Sequence, residues 1–247
     1  MNIPHLDKAF ARIGGRVRFG PGRIDVARDG SGEFFRLDLD TAQAGGYEAR
    51  DVQPRRRHLV LIDGPERFLC GHDERHWFVA GVRGNPATVS AAMESLLPRE
   101  AREALLREGV PARKRHRRHN PAYLRQGEWF FLPAPEFATT RPTLRREPLR
   151  RGGGKPHLVE EIARAGGEAV FVSRRYAGGL TSSQHESLRR SDPELFAGQR
   201  WRPMTRGATV YARGRVTHPD HATLHLAGWH RVLMADEASS TQLAFLD

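Results

Sequence analysis

Leu6, Phe10 and Ile13 recur at helical spacing and stop at Gly14-Gly15, which predicts a helix over 6–13. The period then shortens to two. Phe35, Leu37 and Leu39 alternate with Phe34, Arg36 and Asp38 in a strand over 33–39. A strand over 23–28 precedes it across Asp29-Gly30-Ser31-Gly32, and the glycines of that loop predict a hairpin. A short strand over 16–19 leads in. Further strands are predicted over 47–53, 57–62, 67–70 and 76–82, with Asp63-Gly64-Pro65 turning the second into the third.

The helical period returns at 86–97, where Val89, Met93 and Leu96 share a face behind Asn85 as N-cap and Pro86 as first helical residue. A second helix follows over 98–108 and stops at Gly109. Beyond it, 128–132 reads as a short strand and 142–148 as irregular chain or an edge strand. Leu158, Ile162 and Ala165 predict a helix over 157–165. A buried-type strand is predicted over 168–174. Thr181 and Gln184 have capping-box spacing ahead of a helix over 181–190. Strands over 209–217 and 223–232 flank Pro219-Asp220 as a final hairpin.

These elements make an α+β protein: an antiparallel meander with helices in the first half, and a mixed second half ending in a β-hairpin. Val110-Pro111 is the best boundary, giving an expected strand-rich domain over 1–111 and a basic α+β domain over 112–247. At 247 residues the chain is long enough for a substantial core. Hydrophobic content of 38% and a mean hydropathy of −0.59 are low, yet above the disordered range. The single cysteine, Cys70, precludes an internal disulfide and suits a reducing compartment. It shares strand parity with Phe68, so a core role is expected rather than a nucleophilic one. No apolar run is long enough to span a bilayer, and the first ten residues lack a signal-peptide core. The expectation is a cytoplasmic protein with no membrane partner.

Charge changes the picture. The formal net charge is +11, yet residues 1–110 carry 17 basic against 16 acidic groups. Residues 113–151 alone carry 11 against 3. Arg113, Lys114, Arg115, Arg117 and Arg118 form the densest run, followed by Tyr123, Trp129, Phe130 and Phe131, and Arg145, Arg146, Arg150 and Arg151 form a second. Dense cations displace counterions from a polyanion and an aromatic ring stacks on a base, so the first expectation is a nucleic-acid-binding protein contacting mainly phosphates. Trp129 and Phe130 have opposite strand parity, so one ring at most would face outward. Lys155, after Gly152-Gly153-Gly154, joins this set as a phosphate contact; the spacing is not that of a nucleotide-binding loop. An acidic protein partner is the competing use of the same surface.

Two clusters carry the chemistry of an alternative, a metal-dependent hydrolase or nuclease. His72, Asp73, Glu74 and His76 offer two imidazoles and two carboxylates within five residues, the types needed for general acid–base work. His218, Asp220 and His221 flank the last turn, where both imidazoles can face one divalent ion. His225 falls on the polar face of its strand and His230 beyond Gly228, which argues against a four-histidine site. Both clusters lie at strand ends, so the discriminating quantity is the distance between them in the folded chain.

Overall fold

The computed structural model describes residues 3–151 and 155–238. Helix α1 (Ile3–Arg12) precedes β1 (Val17–Gly20), β2 (Asp25–Asp29) and β3 (Gly32–Asp38). A short α2 (Leu39–Gln43), capped by the Asp38 carboxylate, leads to β4 (Tyr47–Gln53), β5 (His58–Asp63), β6 (Glu66–Asp73) and β7 (His76–Gly81). The last four strands form the expected antiparallel meander in sequence order. In the smaller sheet β3 pairs antiparallel with β2 and parallel with β1. Leu6 and Phe10 of α1, with Ile13 just past its end, bury against Phe35, Leu37, Leu59 and Leu61, the inward parity of β3 and β5. The opposite face of β5, Val60 and Ile62, is covered by Val89 and Ala92 of α3 (Val89–Ser95). Strand β5 is therefore buried on both sides. The cap of α3 is Thr88, whose hydroxyl accepts from Ala91 N–H at 3.1 Å, so the helix begins three residues past the expected Asn85-Pro86 start.

Helix α4 (Arg99–Arg107) and a 3₁₀ turn over Ala112–Lys114 lead to β8 (His119–Asn120), β9 (Tyr123–Gln126), β10 (Trp129–Pro133), β11 (Leu144–Leu149) and β12 (His157–Ala165). Strand β13 (Glu168–Val172), β14 (Leu180–Thr181), α5 (Ser182–Ser191), α6 (Pro193–Ala197) and β15 (Arg202–Arg206) form a small unit inserted before β16 (Thr209–His218) and β17 (His221–Met234). Its capping box at Thr181 and Gln184 is present as expected. The large sheet runs β11-β12-β16-β17-β10-β9-β8, with β11 at one edge.

The expected helix over 157–165 is corrected: the segment is the strand β12, paired with both β11 and β16. Its register shifts between Val159 and Glu161, a bulge that leaves Val159 and Ile162 both buried although they lie three residues apart. Of Leu158, Ile162 and Ala165, whose spacing predicted the helix, only Ile162 is buried; the other two are half-buried. Gly214 sits opposite, at φ +80°, where a Cβ would stand 2.9 Å from Glu160 Oε2.

Strand β10 is also buried on both faces. Trp129 and Phe131 enter the core of the large sheet, while Phe130 and Leu132 pack on Ala101, Ala104 and Leu105 of α4. This second core draws on both sides of residue 111. The tail crosses back as well: Asp236 N–H donates to Leu96 O at 2.9 Å and Ala238 N–H to Gly81 O at 2.9 Å. Among the described residues no helix is long and apolar enough to cross a membrane.

Candidate metal centre and its cavity

The two-residue turn at Pro219-Asp220 pairs His218 with His221 across the β16/β17 hairpin and brings their ring centroids to 4.7 Å. On the other side of β16, Leu158 pairs with Thr217, which sets His157 beside His218. The His157 ring stacks on His218 at 4.2 Å and 20°, and lies 5.5 Å from that of His221. One nitrogen from each imidazole falls within 4.8 Å of the others. His157 is 2% exposed, and neither of its ring nitrogens has a hydrogen-bond partner among the described residues. Burial, with His218 and His221 adding repulsion, pushes its pKa down to about 3. A neutral imidazole with unused lone pairs is what a metal ligand must be. Gly127 closes the back of the group at φ +58°, where a Cβ would lie 3.1 Å from His221 Nε2 and 3.2 Å from His157 Nε2.

The hydrogen bonds define which atoms are available. His218 Nδ1 accepts from Asp220 N–H at 3.1 Å, so its Nε2 carries the proton and donates to Lys155 O at 3.3 Å; an ion at either nitrogen takes the place of that nitrogen's present bond. His221 Nδ1 lies 3.4 Å from Glu74 Oε2, too poorly aligned for a hydrogen bond. The carboxylate nevertheless stands where it would orient that ring, as carboxylates behind metal-binding histidines do.

The two clusters of the sequence meet here. In the β6/β7 turn Glu74 adopts φ +49°, and its Oε2 accepts from Ala222 N–H at 2.8 Å. His76 Nε2 stands 3.3 Å from Asp220 Oδ1, while its Nδ1 is 2.5 Å from Glu33 Oε1, whose other oxygen accepts from Trp77 N–H. Glu33 thus fixes the ring that faces Asp220. His72 is not part of the group: it packs edge-on against Trp77 at 4.9 Å. Asp73 and Glu74 both bind Arg118, and Asp73 also lies 3.4 Å from Arg125. Sequence reasoning missed His157, Glu33 and Gly127. The helical reading of β12 hid the first; nothing local marked the other two.

The histidines open onto a cavity of about 720 Å³ between the meander, α3 and the large sheet. Its lining combines His76, His218, Asp220 and His221 with the apolar Leu69, Phe78, Met93, Leu96, Leu97 and Phe130.

The basic residues scatter by comparison. Arg113, Lys114, Arg117, Arg145, Arg146 and Arg150 are exposed and Arg115 is half-buried, its Nε donating to Val110 O at 3.3 Å. Three others are engaged within the protein: Arg118 as above, Arg151 with both oxygens of Glu237 at 2.5 and 2.8 Å, and Lys155 with Asp220 at 2.9 Å. Trp129 is 0% exposed, so it is not at the surface where a base would stack. Gly152, Gly153 and Gly154 lie outside the described residues. No protein-family model, curated protein or solved structure matches this chain.

Proposed function

We propose that this chain binds a divalent transition ion through His157, His218 and His221 and acts as a metal-dependent hydrolase. The observation that carries the reading is the convergence of three imidazoles, a buried one with both nitrogens unpartnered and two that line a cavity. Three protein ligands with an open side is the catalytic arrangement for zinc, whereas structural sites are closed by four. An all-imidazole set suits zinc, copper, iron or nickel better than magnesium or calcium.

Ligand distances near 2.1 Å place tetrahedral ligand atoms about 3.4 Å apart. His157, His218 and His221, whose nitrogens lie within 4.8 Å of one another, would be the residues that hold such an ion. An ion held there would bring the pKa of a water ligand to about 7. The Glu74 carboxylate 3.4 Å from His221 and the Glu33–His76–Asp220 chain, in which His76 contacts a carboxylate through each nitrogen, support the reading as groups that would hold the ligands and relay a proton. Titration of the metal-free protein with Zn²⁺ or Co²⁺ tests this. One ion per chain with a tetrahedral Co²⁺ spectrum is expected, and loss of both in His218→Ala with His221→Ala. Stoichiometry near zero in the unmutated protein would remove the reading.

A second reading concerns the exposed basic residues rather than the cavity. Arg113, Lys114, Arg117, Arg145, Arg146 and Arg150 support contact with nucleic-acid phosphates. Replacing these six with Ala should flatten the dependence of oligonucleotide binding on salt by several units of slope. An unchanged slope, or binding of heparin without binding of oligonucleotides, would reject it.

A further inference from the structure

We infer that the substrate of this centre is an uncharged ester or amide carrying an apolar acyl group, and not a polyanion. The inference rests on the hydrolase reading and names the substrate class of that site. Two properties of the cavity carry it. The first is charge. Five carboxylates and two guanidinium groups line the cavity, a net of −3 with its histidines neutral. Arg151 is already bound to Glu237 by two hydrogen bonds and Arg125 leans on Asp73, so neither is a ready partner for an incoming phosphate. Arg118 on Asp73 and Lys155 on Asp220 offset two of these carboxylates as well. A nucleic-acid strand, with a phosphate on each side of the bond to be cut, finds both guanidinium groups of the lining already engaged.

The second is the apolar wall. Phe78 of β7, Met93 of α3, Leu96 at the end of α3 and Phe130 of β10 line the same cavity as His76, His218 and His221. A volume of about 720 Å³ lies within the range of small-molecule pockets, and such pockets combine an apolar lining with a few convergent polar groups. An acyl chain along this wall places its carbonyl at the His218/His221 side. In the reaction the oxygen of a water bonds to the acyl carbon and the C–O or C–N bond breaks. One water proton passes through His76 to the leaving oxygen or nitrogen, and the products are a carboxylic acid and an alcohol or amine.

The test uses zinc-loaded full-length protein and p-nitrophenyl esters from acetate to octanoate, with bis(p-nitrophenyl) phosphate as the anionic comparison. Each added methylene should raise kcat/KM by roughly two- to fourfold, from the transfer of a CH₂ out of water, until the wall is filled. Met93→Trp should flatten that series while zinc stoichiometry is kept. A flat series in the unmutated protein, or preference for the phosphodiester, would overturn the inference. Binding of N-phenyl-1-naphthylamine, an uncharged fluorophore, to zinc-free protein provides a readout independent of the metal. Dye binding lost in Met93→Trp, together with no zinc uptake, would leave the apolar site standing and sink the hydrolase reading. Zinc uptake and acetate cleavage, with no dye binding and a flat ester series, would do the reverse.

Discussion

A Cβ on Gly127 would stand 3.2 Å from His157 Nε2, so this glycine is the backing against which the histidine ring lies. Its φ of +58° adds a second reason for glycine, since an L side chain pays about 1 kcal/mol or more in that region. Gly127→Ala is expected to destabilise the fold by about 1–3 kcal/mol and to weaken zinc binding as well, because His157 and His221 both face the added methyl. Isothermal titration of the folded variant checks it; full zinc affinity would show that the rings do not lean on Gly127.

Gly214 and Glu160 make the bulge that keeps both ends of β12 facing the core. Gly214→Ala places a methyl 2.9 Å from Glu160 Oε2 and 3.0 Å from its Cβ, at φ +80°. A loss of about 1–3 kcal/mol is expected, which in a chain of this size lowers Tm by about 2–4 °C per kcal/mol. Gly228→Ala in the neighbouring β17 is the control: no atom lies within 4 Å of its added Cβ, and a shift near zero is expected. Equal shifts in the two variants would contradict the bulge.

Asp73 gives an acid-limb prediction. Burial raises its pKa, but Arg125 and Arg118 together outweigh that and hold the carboxyl below the usual aspartate range. A folded-state pKa below the unfolded value contributes stability that is present above about pH 4 and lost as pH falls through the folded value. Thermal denaturation should therefore show a steep loss of Tm below about pH 4 that is shallower in Asp73→Asn. Arg118→Met, which leaves Asp73 and Glu74 without their shared partner, should move the acid limb to higher pH. Identical limbs in all three proteins would show that the cluster contributes nothing to acid stability.

Cys70 is 0% exposed in the core beneath α1, and burial pushes its thiol pKa well up. It should resist thiol reagents in the native protein and react only as the chain opens in urea. Stoichiometric labelling within minutes in buffer would place it outside the core.

The local pattern of the chain carried much of the first half. Two-residue alternation at Phe35 and Leu37 and the turn at Asp63-Gly64 are patterns of neighbouring residues, and the fold keeps them as strand β3 and the β5/β6 turn. The same holds for the capping box at Thr181 and for the hairpin that pairs His218 with His221. Where burial is two-sided, parity lost its meaning: Trp129 and Phe130 point oppositely and both are covered, one by the large sheet's core and the other by α4. In β12 a bulge reshaped the period itself, and a strand bearing a site residue read as a helix.

The site lies on the other side of that divide. That His218 faces His221 is a property of one turn, legible in four residues. That His157 joins them, that His76 reaches Asp220, and that Glu74 reaches His221 are consequences of strand order and of how the meander docks on the large sheet. Likewise, Arg118, Arg151 and Lys155 counted as free cations in the sequence until folding brought Glu74, Glu237 and Asp220 against them. Hydrophobic periodicity reports which way a side chain points along its own element. Contacts between elements far apart in sequence are set by the packing of whole faces, and only the tertiary structure decided those.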